Sequence, residues 1–330
     1  MGRFFFLGSF FFYLFWQNSL GQSQIDSTYI ERDEELMVTR FYFSRKFTDF
    51  KIPEKELRYH PNSGLNTGLG FSFQKFTLNI AGPLPFLNPN REKGFRRSFD
   101  LQGQFYPVYW MVDFYGQFYT GYKIPDWQDT GKPYLRPDIG LFKTGIHVSH
   151  VFFGERISIA AAKNQTEIQK KSAISPILGF EVYRAQISAD SLIIPRELNP
   201  SFNYSRADFF HVGPTAGFLG TLVFGRGFFA TAAISGNFGA GSSWLLGDNN
   251  RKESDWGVLL GYQARGFIGY NGQRFGFNLN YIYKNLNLNP IRGLEQSADT
   301  GNYRLIFVYK IRPGKKFSRT YTKFNPNRIL

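Results

Sequence analysis

The sequence predicts an all-β fold, a transmembrane antiparallel β-barrel of about fourteen strands, or twelve if neighbouring segments merge. Three features carry that expectation. Apolar and polar residues alternate through most of residues 36–311, the period of a strand with two different faces. Short turns alternate with longer polar loops along the chain, as in barrels whose hairpins are short on one side of a membrane and long on the other. Aromatic residues make up 19% of the chain, with 38 Phe and 19 Tyr beside 34 Gly, a composition suited to strands carrying aromatic girdles.

The first element is a targeting segment. Arg3 precedes a nearly unbroken apolar run from Phe4 to Trp16, and small residues at Ser19 and Gly21 fit cleavage before Gln22. The run falls short of the roughly 20 residues a spanning helix needs. Residues 1–21 are therefore expected to be a signal peptide and 22–35 a solvated periplasmic lead-in bearing Glu31, Asp33, Glu34 and Glu35. The barrel follows over 36–311, and a basic tail over 312–330. Cysteine is absent, which removes disulfides, thiolate metal sites and thiol nucleophiles.

Within the barrel, Leu65, Thr67, Leu69, Phe71 and Phe73 share one face, opposite Asn66, Gly68, Gly70 and Ser72. Farther along, Phe275, Phe277, Leu279, Tyr281 and Tyr283 oppose Gly276, Asn278, Asn280 and Lys284. Small and polar residues on the second face suit a wet or loosely filled lumen behind a lipid-facing aromatic surface. Short turns are expected near 74–75, 107, 154–155, 225–226 and 271–272, with outside loops at 52–63, 82–97, 123–138, 164–171, 241–254 and 285–300. Thirteen segments are clear, and an even number requires one more, so 186–194 is expected to cross back as the extra strand. The last strand places Tyr303, Leu305, Phe307, Tyr309 and Ile311 on one face, an aromatic signal of the kind read by barrel-insertion machinery.

Several runs together resemble a known family: Asp26 to Glu31, Phe41 to Phe47, Phe76 to Ile80, Asp113 to Tyr119, Arg136-Pro137-Asp138, and Asn164 to Ala173. They are similar to a domain-of-unknown-function family of exported Gram-negative proteins, over essentially the whole mature chain. The resemblance implies an outer-membrane location. It supplies no activity, substrate or catalytic residue.

The formal net charge is +14, but the basic residues are scattered through strands and loops and form no nucleic-acid patch. The expected partners are outer-membrane lipid and lipopolysaccharide, the insertion machinery, and an anionic solute; nucleic acid is excluded. Arg40, Lys46, Lys143, Arg265, Lys284, Arg304 and Lys310 all fall at lumen parity. An excess of fixed positive charge in a wet interior favours anions, unless inward-folded loops supply counter-charge. Asp100 and Asp113, also at lumen parity on either side of Pro107, read as members of a hydrogen-bonded interior network. His147 and Ser149 lie two apart, on one strand face with Lys143. This His-x-Ser pair resembles the outer-membrane phospholipase family in these two residues only, points into the lumen, and has only Asn164 nearby to orient it. No phosphate-binding loop, zinc-hydrolase motif or calcium loop is present, so no cofactor, metal or enzymatic activity is expected. The sequence leads to an anion channel or binder, with a structural or assembly component as the alternative and a hydrolase a distant third.

Overall fold

The computed structural model describes residues 25–33, 35–73, 76–88, 98–198, 203–247, 252–291 and 294–314. The expected signal segment and residues 315–330 of the expected tail lie outside the described residues. The elements are β1 (Ile30–Arg32), β2 (Met37–Ile52), β3 (Leu57–Pro61), β4 (Leu65–Phe73), β5 (Phe76–Pro83), β6 (Ser98–Phe105), β7 (Trp110–Ile124) and β8 (Tyr134–Val151). They continue with a short helix α1 (Ile159–Lys163), β9 (Glu167–Gln169), β10 (Ala173–Ser188), β11 (Tyr204–Phe224), β12 (Phe228–Gly247), β13 (Lys252–Asn271), β14 (Phe275–Ile291) and β15 (Leu294–Ile311).

Antiparallel pairing runs β2-β3-β7-β8-β10-β11-β12-β13-β14-β15, and β15 pairs back onto β2 from Ser297↔Lys51 to Ile311↔Met37, so the wall closes. Among the described residues the ring has ten strands, with β4, β5 and β6 beside it, and reproduces neither the fourteen nor the twelve expected from the sequence. At one end lie the close turns between β6 and β7, β11 and β12, and β13 and β14, together with the start of β2 and the end of β15. The tight β11–β12 turn is possible because Gly225 and Gly227 take φ of +65° and +93°, values glycine reaches without strain. At the opposite, loop end, β3 joins β2 to β7 through Phe50↔Tyr59 and His60↔Lys123. Toward the short-turn end β3 gives way to β4 and β5 laid on β2, and to β6 laid on β7.

The wall reverses its polarity along its length. On β10 the outward parity reads Ile174, Leu178 and Phe180, then Arg184, Gln186 and Ser188 toward the loop end, while the inward parity reads Ser175 and Glu181, then Tyr183, Ala185 and Ile187. On β11 the outward side carries Arg206 and Asp208 at the loop end and Phe218 and Leu222 at the other. Facing inward, Ala207 and Phe209 give way to His211 and Thr215. The loop-end part is thus built like a water-soluble barrel, around an apolar core that includes Phe50, Tyr59, Tyr122, Ile187, Tyr204, Phe209 and Leu288. The short-turn part has an apolar exterior, with Phe218, Ile234, Phe238, Leu260 and Ile268 each at least half exposed. Monomeric soluble proteins rarely expose so many large apolar side chains over one surface.

The inversion explains the loops that sequence reading misplaced. Residues 241–254 and 285–300 are polar because their outward side chains stand above the apolar band, and most of them belong to β12, β13, β14 and β15. Nor does 186–194 cross back: β10 continues to Ser188, and the following chain folds over the loop end with Ile193 and Ile194 buried. Tyr59 donates to the Ile193 carbonyl at 2.6 Å, and the Asn203 side chain brackets Ile194 on both its backbone groups.

Residues 164–171, expected outside, sit at the short-turn end. The stretch from β8 to β10 folds into the barrel mouth as a plug. Asn271 donates to the carbonyls of Ala161 and Glu167 at 3.1 and 2.7 Å, and Asn278 donates to Ala162 at 2.9 Å. Gln165, fully buried, donates to the carbonyls of Tyr270 and Phe277. Its oxygen lies where a Cβ on residue 276 would stand, so any larger residue there would displace the Gln165 side chain. The lead-in, expected to be solvated, joins this plug: β1 pairs antiparallel with β9, and Ile30 is buried. An apolar cluster of Met111, Val151, Ile157, Ile159, Ile177, Leu219, Phe229 and Phe267 packs around it.

Phe209→Ala should lower stability by about 3–5 kcal/mol, the cost of emptying a packed aromatic site. Arg184→Ala, which removes an exposed pair with Asp208, should change it by less than about 1 kcal/mol. Equal effects in reversible denaturation of the detergent-solubilised protein would contradict the inside–outside assignment.

Candidate functional site: a charged layer inside the wall

Between the two apolar caps the interior is polar. Strand register sets who meets whom: Asp113 on β7 lies directly opposite His147 on β8, which lies opposite Glu181 on β10. All three face inward with Arg265 of β13 and Lys284 of β14. Arg265 pairs with Asp113, and Lys284 with Glu181, both in direct hydrogen-bonding contact. Lys284 also stands over the rings of Tyr115 and Tyr183, at 5.2 and 5.9 Å. Lys143 donates to the Thr300 hydroxyl across the lumen and lies 5.7 Å from the Tyr115 ring centre.

The plug adds a cation that sequence reading missed. Lys163, the last residue of α1, donates to the Tyr106 hydroxyl at 3.0 Å, and that hydroxyl donates to Asp113 at 2.9 Å. Burial holds the Lys163 ammonium well below its usual pKa and pushes the Tyr106 hydroxyl well above its own. No sequence signal marks Lys163, because its position depends on a plug only tertiary structure reveals. Gln263, Thr300 and Asn302 also line this space, and strand parity alone could have found them.

The seven basic residues expected in the lumen divide. Lys46, Lys143, Arg265 and Lys284 line one cavity of about 90 Å³. Arg40 is buried nearer the plug, donating to Ser72 at 2.6 Å and to the Asn164 carbonyl at 3.1 Å. Arg304 stacks over Tyr42, 4.6 Å from its ring centre. Lys310 donates to the Asn271 side chain and the Gly272 carbonyl at the short-turn rim. Asp100 pairs with Gln117 in the β6–β7 ladder; its side chain lies outside the described residues.

Ser149 and His147 do face inward, and the Ser149 hydroxyl is 2.9 Å from His147 Nε2, which also contacts Thr215 at 3.2 Å. The third member expected, Asn164, instead ends α1, its carbonyl accepting from Arg40. The nearest carboxylate is Asp113, 4.0 Å from His147 Nδ1. That is beyond hydrogen-bond reach, and Asp113 is already engaged by Arg265 and Tyr106. Ser149 is buried. The geometry is that of a satisfied buried hydroxyl, not of an activated nucleophile. Among the described residues no group of three or more His, Asp or Glu side chains is arranged to hold a metal ion.

Fold and interior define a closed antiparallel barrel with a filled, charged lumen. The chain belongs to the family described as Domain of unknown function (DUF4421), matched over residues 24–311. Solved structures to which it is similar include Neisserial surface protein A, at 8% identity, covering 84% of this chain and 97% of that one, with a TM-score of 0.24. Another is the translocator domain of the autotransporter NalP from Neisseria meningitidis, at 6% identity, 83% and 88% coverage and a TM-score of 0.34. A third is OmpT, an outer membrane protein of Vibrio cholerae, at 8% identity, 85% and 99% coverage and a TM-score of 0.25. Such scores transfer neither strand number nor site to this chain. No curated protein matches it.

Arg265→Met should cost about 3–5 kcal/mol, since it strands the buried Asp113 carboxylate. The double variant Arg265→Met/Asp113→Leu should recover most of that loss. Additive losses in a double-mutant cycle would contradict the coupling.

Proposed function

We propose that the protein is an integral outer-membrane barrel that holds an anionic group in its interior chamber and does not act as an open pore. The observation that carries this reading is the lining of the 90 Å³ cavity, where Lys46, Lys143, Arg265 and Lys284 gather beside Asp113, with Arg265 paired to Asp113 and Lys284 to Glu181. Confined charges of one sign attract the other strongly when the surroundings exclude water. The apolar caps at both ends support a binder over a channel.

The membrane placement rests on the exterior. The apolar band occupies the short-turn part of the wall, and strands of 15–21 residues such as β7, β11 and β12 exceed the roughly 9–11 that cross hydrocarbon. The surplus is the loop-end section with polar exterior. Short turns face the periplasm in such barrels, which puts the plug on the periplasmic side. Export follows from the apolar leader of residues 4–16.

Titration of the solubilised protein with inorganic phosphate should show saturable binding, weakened about tenfold by Lys143→Gln, as loss of one charge-assisted contact implies. Planar bilayers should show no steady conductance. Anion-selective conductance lost in Lys143→Gln would restore the channel reading. Absence of both binding and conductance would leave a structural role in the membrane.

A further inference from the structure

The outward side of β10 and β11 carries a charged cluster at the level where the apolar exterior ends. Strand register places Asp208 directly between Gln186 on β10 and Trp244 on β12. Arg184, opposite Phe210 and so one step nearer the short-turn end, donates through Nη2 to Asp208 Oδ1 at 2.6 Å. Arg206, two residues before Asp208 toward the loop end, donates through Nε to Oδ2 at 3.2 Å. Gln186 donates to the same oxygen at 3.1 Å. Two guanidiniums thus reach one carboxylate from opposite sides. The two arginine side chains are 54% and 53% exposed, and that of Asp208 only 18%. No other described residue gives either guanidinium a partner, so one positive charge stays uncompensated. A guanidinium carries five N–H donors, and each commits one of them here.

We infer that Arg184 and Arg206 form a docking site on the barrel exterior for a phosphate group of the lipopolysaccharide lipid anchor. The inference does not draw on the interior chamber; it takes from the proposed membrane placement only that the loop end faces outward. Three observations choose an anionic lipid. A phosphate accepts hydrogen bonds from two guanidinium forks at once, and Asp208 holds both forks in place before a ligand arrives. Below the arginines, on the same outward faces, Leu178 and Phe180 of β10 and Phe218 and Leu222 of β11 are exposed and suit acyl chains. Beside the cluster, Trp244 is 46% exposed and meets Trp256 edge-on, 6.4 Å between ring centres, a residue type that gathers at headgroup level. A soluble anion would need none of that apolar surface. Exposed ion pairs stabilise a fold little, so the chief effect of this pairing is to fix the two guanidiniums.

Titration of the full chain in detergent with diphosphoryl lipid A, read by native mass spectrometry, tests the site. Arg184→Gln and Arg206→Gln should each weaken binding about tenfold. Arg184→Lys, which keeps the charge and loses the fork, should fall between them and the wild type. Arg45→Gln, which removes another exposed outward cation, on β2, should leave binding unchanged. Circular dichroism of each variant separates a lost contact from a lost fold. Equal affinity in the wild type and both Gln variants, or equal weakening by Arg45→Gln, would overturn the site. So would inorganic phosphate held by the two arginines as tightly as lipid A, the mark of a site for soluble anions. Arginine-dependent dimers without lipid A binding would mean that a second copy covers the cluster, and would overturn it too. Because binding is read in detergent, failure of the membrane placement shows separately: impermeant labels that cannot reach the loop end from outside would strip the site of this lipid.

Discussion

The ladder between β2 and β15 gives the first and last long strands each other as partners, and most of the molecule follows from that closure. A strand wall facing hydrocarbon has no water to satisfy its N–H and C=O groups, so each must be paired within the wall. Closure fixes the parity of every residue on every strand, since a one-residue slip would turn each side chain to the opposite face. The interior charges meet as they do because Asp113, His147 and Glu181 are held in successive registered positions across three strands. Among the described residues no ladder joins β5 to β6, and there Asn79, Ala81, Gln102 and Gln104 are exposed although they lie at inward parity.

Parity was legible in the sequence, and with it the inward placing of Arg40, Lys143, Arg265, Lys284, Asp113, His147 and Ser149. What strand alternation could not carry was the change of environment along a single strand. Arg184 and Gln186 share a face with Ile174 and Leu178, so a reader expecting one apolar face per crossing takes the polar part for a loop. The same confusion hid the extensions of β12 to β15. It also created a spurious crossing at 186–194, whose apolar residues belong to the loop-end core. Lys163 and Tyr106 were beyond reach for a different reason. They join the charged layer through a plug and a turn, and neither has a period.

Desolvation governs the charged layer. A buried carboxylate or ammonium is stable only when an opposite charge or several hydrogen bonds replace its water. Asp113 has Arg265 and Tyr106, and Glu181 has Lys284. The apolar caps on either side strengthen these pairs by excluding water.

The proposed membrane placement rests on the reversal of polarity along the wall, which can be measured directly because the chain has no native cysteine. Single cysteines along the outward face of β10 would be exposed to a membrane-impermeant maleimide in outer-membrane vesicles. Positions 184, 186 and 188 should react and positions 174 and 178 should be protected, with the step between 180 and 184. Uniform reactivity along the strand, or protection at its loop end, would contradict a wall that is soluble-like above and hydrocarbon-facing below.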